Sequence, residues 1–140
     1  MSTPFLRDYQ PPFPSLTVEV HSDDAHTGPH PALVDTGSDA TLIPVSILLQ
    51  IGAAESTWAV LRTQLGDSRR VPRYLVSIQI GKNRLPGLYA VGDEVGAEII
   101  LGRDVLNKLP LFLDGPQHQT DVLDDTQANR LRARRAEPDA

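Results

Sequence analysis

Apolar and polar residues alternate with a period of two along much of this chain. The alternation is clearest from Leu16 to Val20 and from Val76 to Ile80, and it is typical of strands that bury one face. A short apolar run at 99–101, rich in β-branched residues, indicates a strand buried on both faces. The pattern therefore predicts a mostly β chain. Further strands are predicted at 32–34, 40–43, 58–63, 71–75, 88–91, 111–113 and 117–122.

Turn residues and two short helical patterns connect these strands. Residues 65–68 lie between two strand patterns and predict a projecting hairpin, and an Asp-Gly pair predicts a second hairpin over 111–122. Pro44 suits the first position of a short helix, which Gly52 would end. A second short helix is predicted over 103–109, where a proline follows the helical pattern.

The length of 140 residues fits one folded domain, which we expect to span 16–123. Prolines crowd the start of the chain, so 1–15 is predicted to be an extended arm. Residues 124–140 are predicted to be a charged tail and a candidate for disorder. Its basic residues are Arg130, Arg132, Arg134 and Arg135.

Composition argues against several classes of protein. The chain has no cysteine, which rules out disulfides, thiolate metal sites and thiol nucleophiles. A net charge of -5 argues against a nucleic-acid partner, because phosphate binding draws on an excess of lysine and arginine. No apolar run approaches the ~20 residues of a membrane-spanning helix, so no membrane partner is expected. The first residues lack the order of a secretory signal, and the expected location is the cytoplasm.

Metal and serine-nucleophile chemistry are also disfavoured. Between His26 and His30 lie Gly28 and Pro29, which prevent the helical turn that would place both imidazoles on one face. The sequence has no Gly-x-Ser-x-Gly turn of the kind that presents a nucleophilic serine. We therefore expect no metal and no cofactor.

Two separated motifs carry the candidate chemistry. Residues 34–38 are Val-Asp-Thr-Gly-Ser, which places Asp35 on a tight turn between two strands, and residues 100–104 are Ile-Leu-Gly-Arg-Asp. Together the motifs resemble those of the retropepsin-like aspartic proteases, and the resemblance covers residues 16–113. It implies an all-β, single-lobe retropepsin-like acid protease fold. Such a fold has a closed, barrel-like sheet, one or two short helices, and an active site at a homodimer interface.

The resemblance also implies roles for individual residues. Asp35 matches the catalytic aspartate of the family, and an ion pair is implied between Asp39 and Arg103. The hairpin at 65–68 matches the flap that closes over the substrate, although it has one glycine where retroviral flaps are glycine-rich. The other implied positions are Thr36, Gly37 and Ser38 in the active-site loop, Leu101 and Gly102 in the supporting strand, and Leu65, Gly66 and Asp67 at the flap tip.

The implied activity is hydrolysis of peptide bonds in a polypeptide held in extended form. This chemistry needs two carboxylates, one charged and one protonated, and the charged one activates the attacking water. Because the chain has a single Asp-Thr-Gly, the second Asp35 would come from another copy in a symmetric homodimer. An alternative from another class is a catalytically silent, protease-like module that binds extended peptides or mediates dimerisation.

Two local hypotheses complete these expectations. The hydroxyl of Ser38 is expected to donate to the Asp35 carboxylate, which would favour the charged form and extend activity to lower pH. The retroviral enzymes interleave short chain ends at their dimer contact. This chain instead has a proline-rich arm and a C-terminal extension, so the hairpin over 111–122 is expected to provide the dimer contact.

Overall fold

The computed structural model describes residues 1–62 and 65–136, and the predicted strand 58–63 and tail 124–140 run partly outside these ranges. The described part of the chain holds ten strands and three α-helices, which confirms the prediction of a mostly β chain. The strands are β1 (Ser2–Pro4), β2 (Ser15–His21), β3 (His26–Val34), β4 (Leu42–Pro44), β5 (Ala54–Arg62), β6 (Ser68–Ile80), β7 (Asn83–Asp93), β8 (Ile99–Leu101), β9 (Leu111–Asp114) and β10 (Gln119–Val122). The helices are α1 (Val45–Gln50), α2 (Arg103–Leu106) and α3 (Asp125–Ala136).

Seven of the described strands form one sheet, in the order β2-β3-β8-β4-β7-β6-β5. Strand β2 also pairs with β6. The barrel therefore closes through six strands, which are β2, β3, β8, β4, β7 and β6, and β5 extends the sheet beyond β6. Closure leaves those six strands without a free edge. The antiparallel β5–β6 pair is the projecting hairpin predicted around residues 65–68.

The period-two alternation decides which side chains fill the barrel. On β2, Leu16, Val18 and Val20 are buried, and Thr17 between them is exposed. Full burial of one such side chain contributes about 1.5–3 kcal/mol, so this core holds the strands in register. Other fully buried side chains are Ile43, Leu48, Ile78, Ile80, Ile99, Leu101 and Val105.

The described parts of the predicted arm and tail contain regular structure. Strand β1 pairs with β10, which also pairs with β9, and the three form a second sheet. The predicted arm also contacts the rest of the fold after β1: Phe5 is buried, and the Tyr9 hydroxyl donates to the Glu98 carboxylate. This charged acceptor raises the pKa of Tyr9 to about 12.

Residues 125–136, predicted as part of a doubtfully ordered tail, form helix α3. Its start is a reciprocal cap: the Gln127 N–H donates to Asp124 Oδ1 at 2.8 Å, and Gln127 Oε1 accepts from the Asp124 N–H at 3.1 Å. Within the helix, Ala128 is buried. In the described part of the chain, no helix has the length and apolar character that a membrane span requires.

The other two helices lie where the sequence predicted them, with different bounds. Pro44 precedes α1 as its N-cap and is not the first helical residue. Gly52 follows α1 with φ +62°, a left-handed conformation that favours glycine. Helix α2 ends at Leu106 and is therefore shorter than the predicted 103–109. The predicted hairpin over 111–122 is confirmed as the antiparallel pair of β9 and β10.

Candidate active site

Strands β3 and β8 bring the two sequence motifs together. They are neighbouring and parallel, with Val34 opposite Leu101, so the segments that follow them leave the sheet side by side. The first segment begins with Asp35 and the second with Gly102. The Asp35 N–H donates to the Leu101 carbonyl at 3.1 Å, which attaches the start of the loop to β8.

Asp35 lies on a tight turn, as the sequence predicted. The Gly37 N–H donates to Asp35 Oδ1 at 2.9 Å, and the Ser38 N–H donates to the Asp35 carbonyl at 3.2 Å. The side-chain bond is of the Asx-turn type, and it fixes the direction of the carboxylate. The Asp35 residue is half-buried, so its carboxylate is oriented by the backbone and still reachable from outside.

Gly102 lets the second motif approach the loop closely. A Cβ at this position would overlap the carbonyl group of Ala40 and come within 2.9 Å of the Ser38 oxygen. The next residue, Arg103, donates its N–H to that same Ser38 oxygen at 2.9 Å. The backbone contact therefore requires a residue with no side chain at position 102.

The ion pair implied between Asp39 and Arg103 is present. Arg103 Nη2 donates to Asp39 Oδ1, and Nη1 donates to the Thr36 carbonyl at 2.8 Å. One guanidinium thus holds two points of the loop that carries Asp35. Both partners are exposed enough for solvent to screen the pair, so its effect is better described as orienting the loop than as stabilising the fold.

The expected bond from Ser38 to Asp35 is not formed. The Ser38 hydroxyl instead donates to the Ala40 carbonyl at 2.7 Å, two residues further along the chain. Serine often bonds nearby backbone in turns, and here that local acceptor competes with the carboxylate. Ser38 therefore shapes the loop and does not contact the Asp35 side chain.

A second acid lies at the site, Asp104, which ends the second motif and to which the sequence assigned no role. Its carboxylate accepts from the Thr41 N–H at 3.2 Å, the Thr41 hydroxyl at 2.7 Å and the Val105 N–H at 2.9 Å. Thr41 is fully buried, and its hydroxyl also accepts from the Gly102 N–H at 3.1 Å. Thr41 lies three residues after the first motif and Asp104 ends the second, but the sequence alone does not show that the two side chains meet.

An open groove of about 740 Å³ lies in front of Asp35. One wall is the loop 35–40 with part of α2, and the other is formed by strands β5, β6 and β7. The flap-tip residues do not line it, as far as the structure describes the hairpin, and Leu65 is 90% exposed. The lining residues on the β5, β6 and β7 side are Ala59, Val60, Leu61, Arg62, Val71, Arg73, Gly87, Leu88, Tyr89 and Val91.

Among the described residues, no three His, Asp or Glu side chains cluster in a way that could hold a metal ion. Asp39 and Asp104 have the partners given above. What the arrangement offers chemically is one oriented carboxylate, Asp35, facing an open groove.

Comparisons with known proteins bear on the fold. No protein-family model matches the sequence, nor does any curated protein at a significant level. Among solved structures, a retropepsin-like aspartic protease from Rickettsia conorii matches with a TM-score of 0.57 and 15% identity, covering 86% of each chain. EIAV protease complexed with the inhibitor HBY-793 matches with a TM-score of 0.52 and 17% identity, covering 69% of this chain and 86% of that chain. The chain therefore has the retropepsin-like fold expected from its motifs.

Proposed function

We propose that this protein is an aspartic endopeptidase that hydrolyses peptide bonds as a homodimer. The observation that carries the proposal is the position of Asp35, whose carboxylate is oriented by the Gly37 N–H and opens on the groove. The contacts of Gly102 and Arg103 with the loop support the proposal, because a catalytic group must be held in one geometry by its surroundings. The likeness in fold to two aspartic proteases agrees with it.

The proposed mechanism uses the Asp35 carboxylates of two copies placed side by side. Two such groups at short distance cannot both ionise, so they share one proton. The charged carboxylate takes a proton from a water molecule, and that water attacks the carbonyl carbon of the scissile amide. The protonated carboxylate donates to the developing oxyanion, and the leaving nitrogen gains a proton as the C–N bond breaks.

The proposed dimer needs a contact outside the catalytic loop, and the small sheet offers one. Strand β9 is one of the two edge strands of that sheet, and in the described structure it pairs with β10 alone. Its Phe112 and Leu113 are 48% and 45% exposed and lie on opposite faces of the strand. A free strand edge with exposed apolar side chains is suited to pairing with the same strand of a second copy.

The proposed substrate is a polypeptide in extended form. The groove is bounded by β5, whose outer edge is unpaired in the described part of the sheet. An extended peptide can satisfy such an edge with main-chain hydrogen bonds, while alternate side chains enter the groove. The hairpin tip at Leu65, Gly66 and Asp67 is proposed to close over the bound peptide.

The test is cleavage of unfolded casein at a series of values from about pH 3 to about pH 7, the range in which carboxylates titrate. Asp35→Asn should abolish cleavage, whereas Asp23→Asn, at an exposed acid outside the groove, should retain it. A statine-type inhibitor, which resembles the tetrahedral intermediate, should block the wild-type protein. Cleavage that persists in Asp35→Asn would exclude this mechanism, and peptide binding without cleavage would favour the silent binding module.

A further inference from the structure

The groove in front of Asp35 is lined by charges of both signs, and two of its acids already have partners within the chain. Asp39 is paired with Arg103, and Asp104 accepts three hydrogen bonds from Thr41 and Val105. Asp35 is the acid that remains available to a bound molecule. The basic residues on the walls of the groove are Arg62, Arg73 and Lys108.

Arg73 is the basic side chain whose position is best fixed. It is half-buried, its Nε donates to Thr57 Oγ1 at 3.1 Å, and its Nη2 donates to the same oxygen. Its guanidinium carbon lies 5.4 Å from the ring centroid of Tyr89, within the range of a cation–π contact. The contacts with Thr57 and Tyr89 hold the positive charge at the groove wall, no ion pair within the described residues removes it, and the Nη1 N–H groups stay unused. Arg73 therefore keeps donors available for an anionic group.

The strand pairing places Arg73 near the catalytic loop. Arg73 on β6 is opposite Val91 on β7, and the Val91 N–H donates to the Thr41 carbonyl at 2.9 Å. Two neighbouring strand spacings correspond to about 10 Å between the backbone of Arg73 and that of Thr41, at the end of the loop that begins at Asp35. Arg73 and Asp35 line the same groove, so a peptide bound there would pass both side chains.

We propose that Arg73 is a specificity-determining residue that binds a carboxylate side chain of the substrate, so that this protein selects acidic peptides. The proposal rests on the proposed function, because it assigns the substrate of the same groove. A planar guanidinium binds a carboxylate through two parallel hydrogen bonds. Val71, two residues before Arg73 on β6, and Val91, opposite it on β7, also line the groove and make its floor apolar there.

Arg70 provides a matched control on the same strand. Its guanidinium carbon lies 5.3 Å from the ring of Trp58, so it makes the same kind of aromatic contact as Arg73. Arg70 does not line the groove within the described structure. Neutralising Arg70 removes the same charge and a similar contact from the hairpin, and it leaves the groove wall unchanged.

The experiment compares peptides that are identical except for Glu, Gln or Lys at one position, scanned along the sequence. Cleavage is followed as kcat/KM by mass spectrometry, and binding of the same labelled peptides to Asp35→Asn protein is followed by fluorescence anisotropy. At one position, Glu should be preferred over Gln by about tenfold, as expected for a charge-assisted hydrogen bond. Arg73→Gln should abolish this preference, Arg73→Glu should shift it toward Lys, and Arg70→Gln should retain it.

The two assays separate this inference from the proposed function. A Glu preference in binding that Arg73→Gln abolishes, without any cleavage by the wild-type protein, supports the role of Arg73 and contradicts hydrolysis. Cleavage with no Glu preference supports hydrolysis and overturns the role of Arg73. A preference that survives Arg73→Gln, or that Arg70→Gln removes equally, also overturns it, and so does the absence of a Glu preference from both assays.

Discussion

Asp104 and Thr41 join the second motif to the end of the loop that begins at Asp35 through two hydrogen bonds. The Thr41 N–H and hydroxyl donate to the two carboxylate oxygens of Asp104, at 3.2 and 2.7 Å. The same hydroxyl accepts from the Gly102 N–H at 3.1 Å. One buried threonine thus connects the loop with the residue that follows β8. This network explains how a loop on the surface of the barrel keeps a fixed geometry.

Thr41→Val should destabilise the fold by about 2–3 kcal/mol, because it removes the hydroxyl that donates to Asp104 and leaves the buried Gly102 N–H without an acceptor. The change keeps the shape of the side chain, so packing contributes little. Urea denaturation of the two proteins measures the difference as a shift of the midpoint at constant slope.

Thr120 is a matched control for that substitution. It is equally buried, but its hydroxyl has no hydrogen-bond partner in the described structure. Thr120→Val removes an unsatisfied polar group and should be neutral, or stabilising by up to about 1 kcal/mol. Equal losses of stability in both variants would show that the network around Thr41 has no special importance.

Gly102→Ala should lower the free energy of unfolding by at least about 2 kcal/mol and strongly reduce activity. The added methyl group meets the backbone of Ala40 and Ser38, which cannot move without displacing the catalytic loop. Gly115→Ala is the control, since a methyl group there meets nothing within 4 Å, and its effect should stay within about 0.5 kcal/mol. Thermal unfolding and kcat/KM of both variants provide the comparison, and a fully active Gly102→Ala protein would contradict the close packing.

Ser38→Ala should leave the pH profile of activity unchanged and cost about 1 kcal/mol of stability, the usual value of one hydrogen bond. The reason is that the hydroxyl donates to the Ala40 carbonyl and not to the Asp35 carboxylate. The measurement is kcat/KM against pH for the wild-type and variant proteins. An acid limb displaced to higher pH in the variant would mean that the hydroxyl does favour the charged carboxylate.

The sequence predicted those parts of the fold that depend on local pattern. The alternation of Leu16, Val18 and Val20 was sufficient to locate β2, because burial of one face has a period of two. Strand β1 was not predicted, since it has no alternation and its partner β10 is more than a hundred residues away. Helix α3 was missed although Asp124 and Gln127 form a recognisable capping box, because the charge run outweighed that local pattern.

The candidate site was also predicted only in part, because the sequence shows its motifs but not every contact between their side chains. The motifs and the Asp39–Arg103 pair followed from the resemblance to a known family, and the structure brings both motifs together. The direction of the Ser38 hydroxyl depends on which acceptor lies nearest after folding, and no sequence pattern specifies it.

Substitution on β9 tests the proposed dimer contact. Leu113→Lys should weaken self-association, because a charged side chain on an edge strand opposes pairing with a second strand. If two Asp35 carboxylates are required, activity should fall with dissociation and recover as protein concentration rises.

The control is Leu49→Lys, which adds the same charge to a leucine that is 70% exposed on α1, away from β9. Sedimentation velocity over a wide range of concentration measures association, and casein cleavage in the same samples measures activity. Leu49→Lys should behave as the wild-type protein in both. A Leu113→Lys protein that stays dimeric would place the contact elsewhere on the surface. A monomer with full activity would exclude the shared-proton mechanism, because the second carboxylate would then be missing.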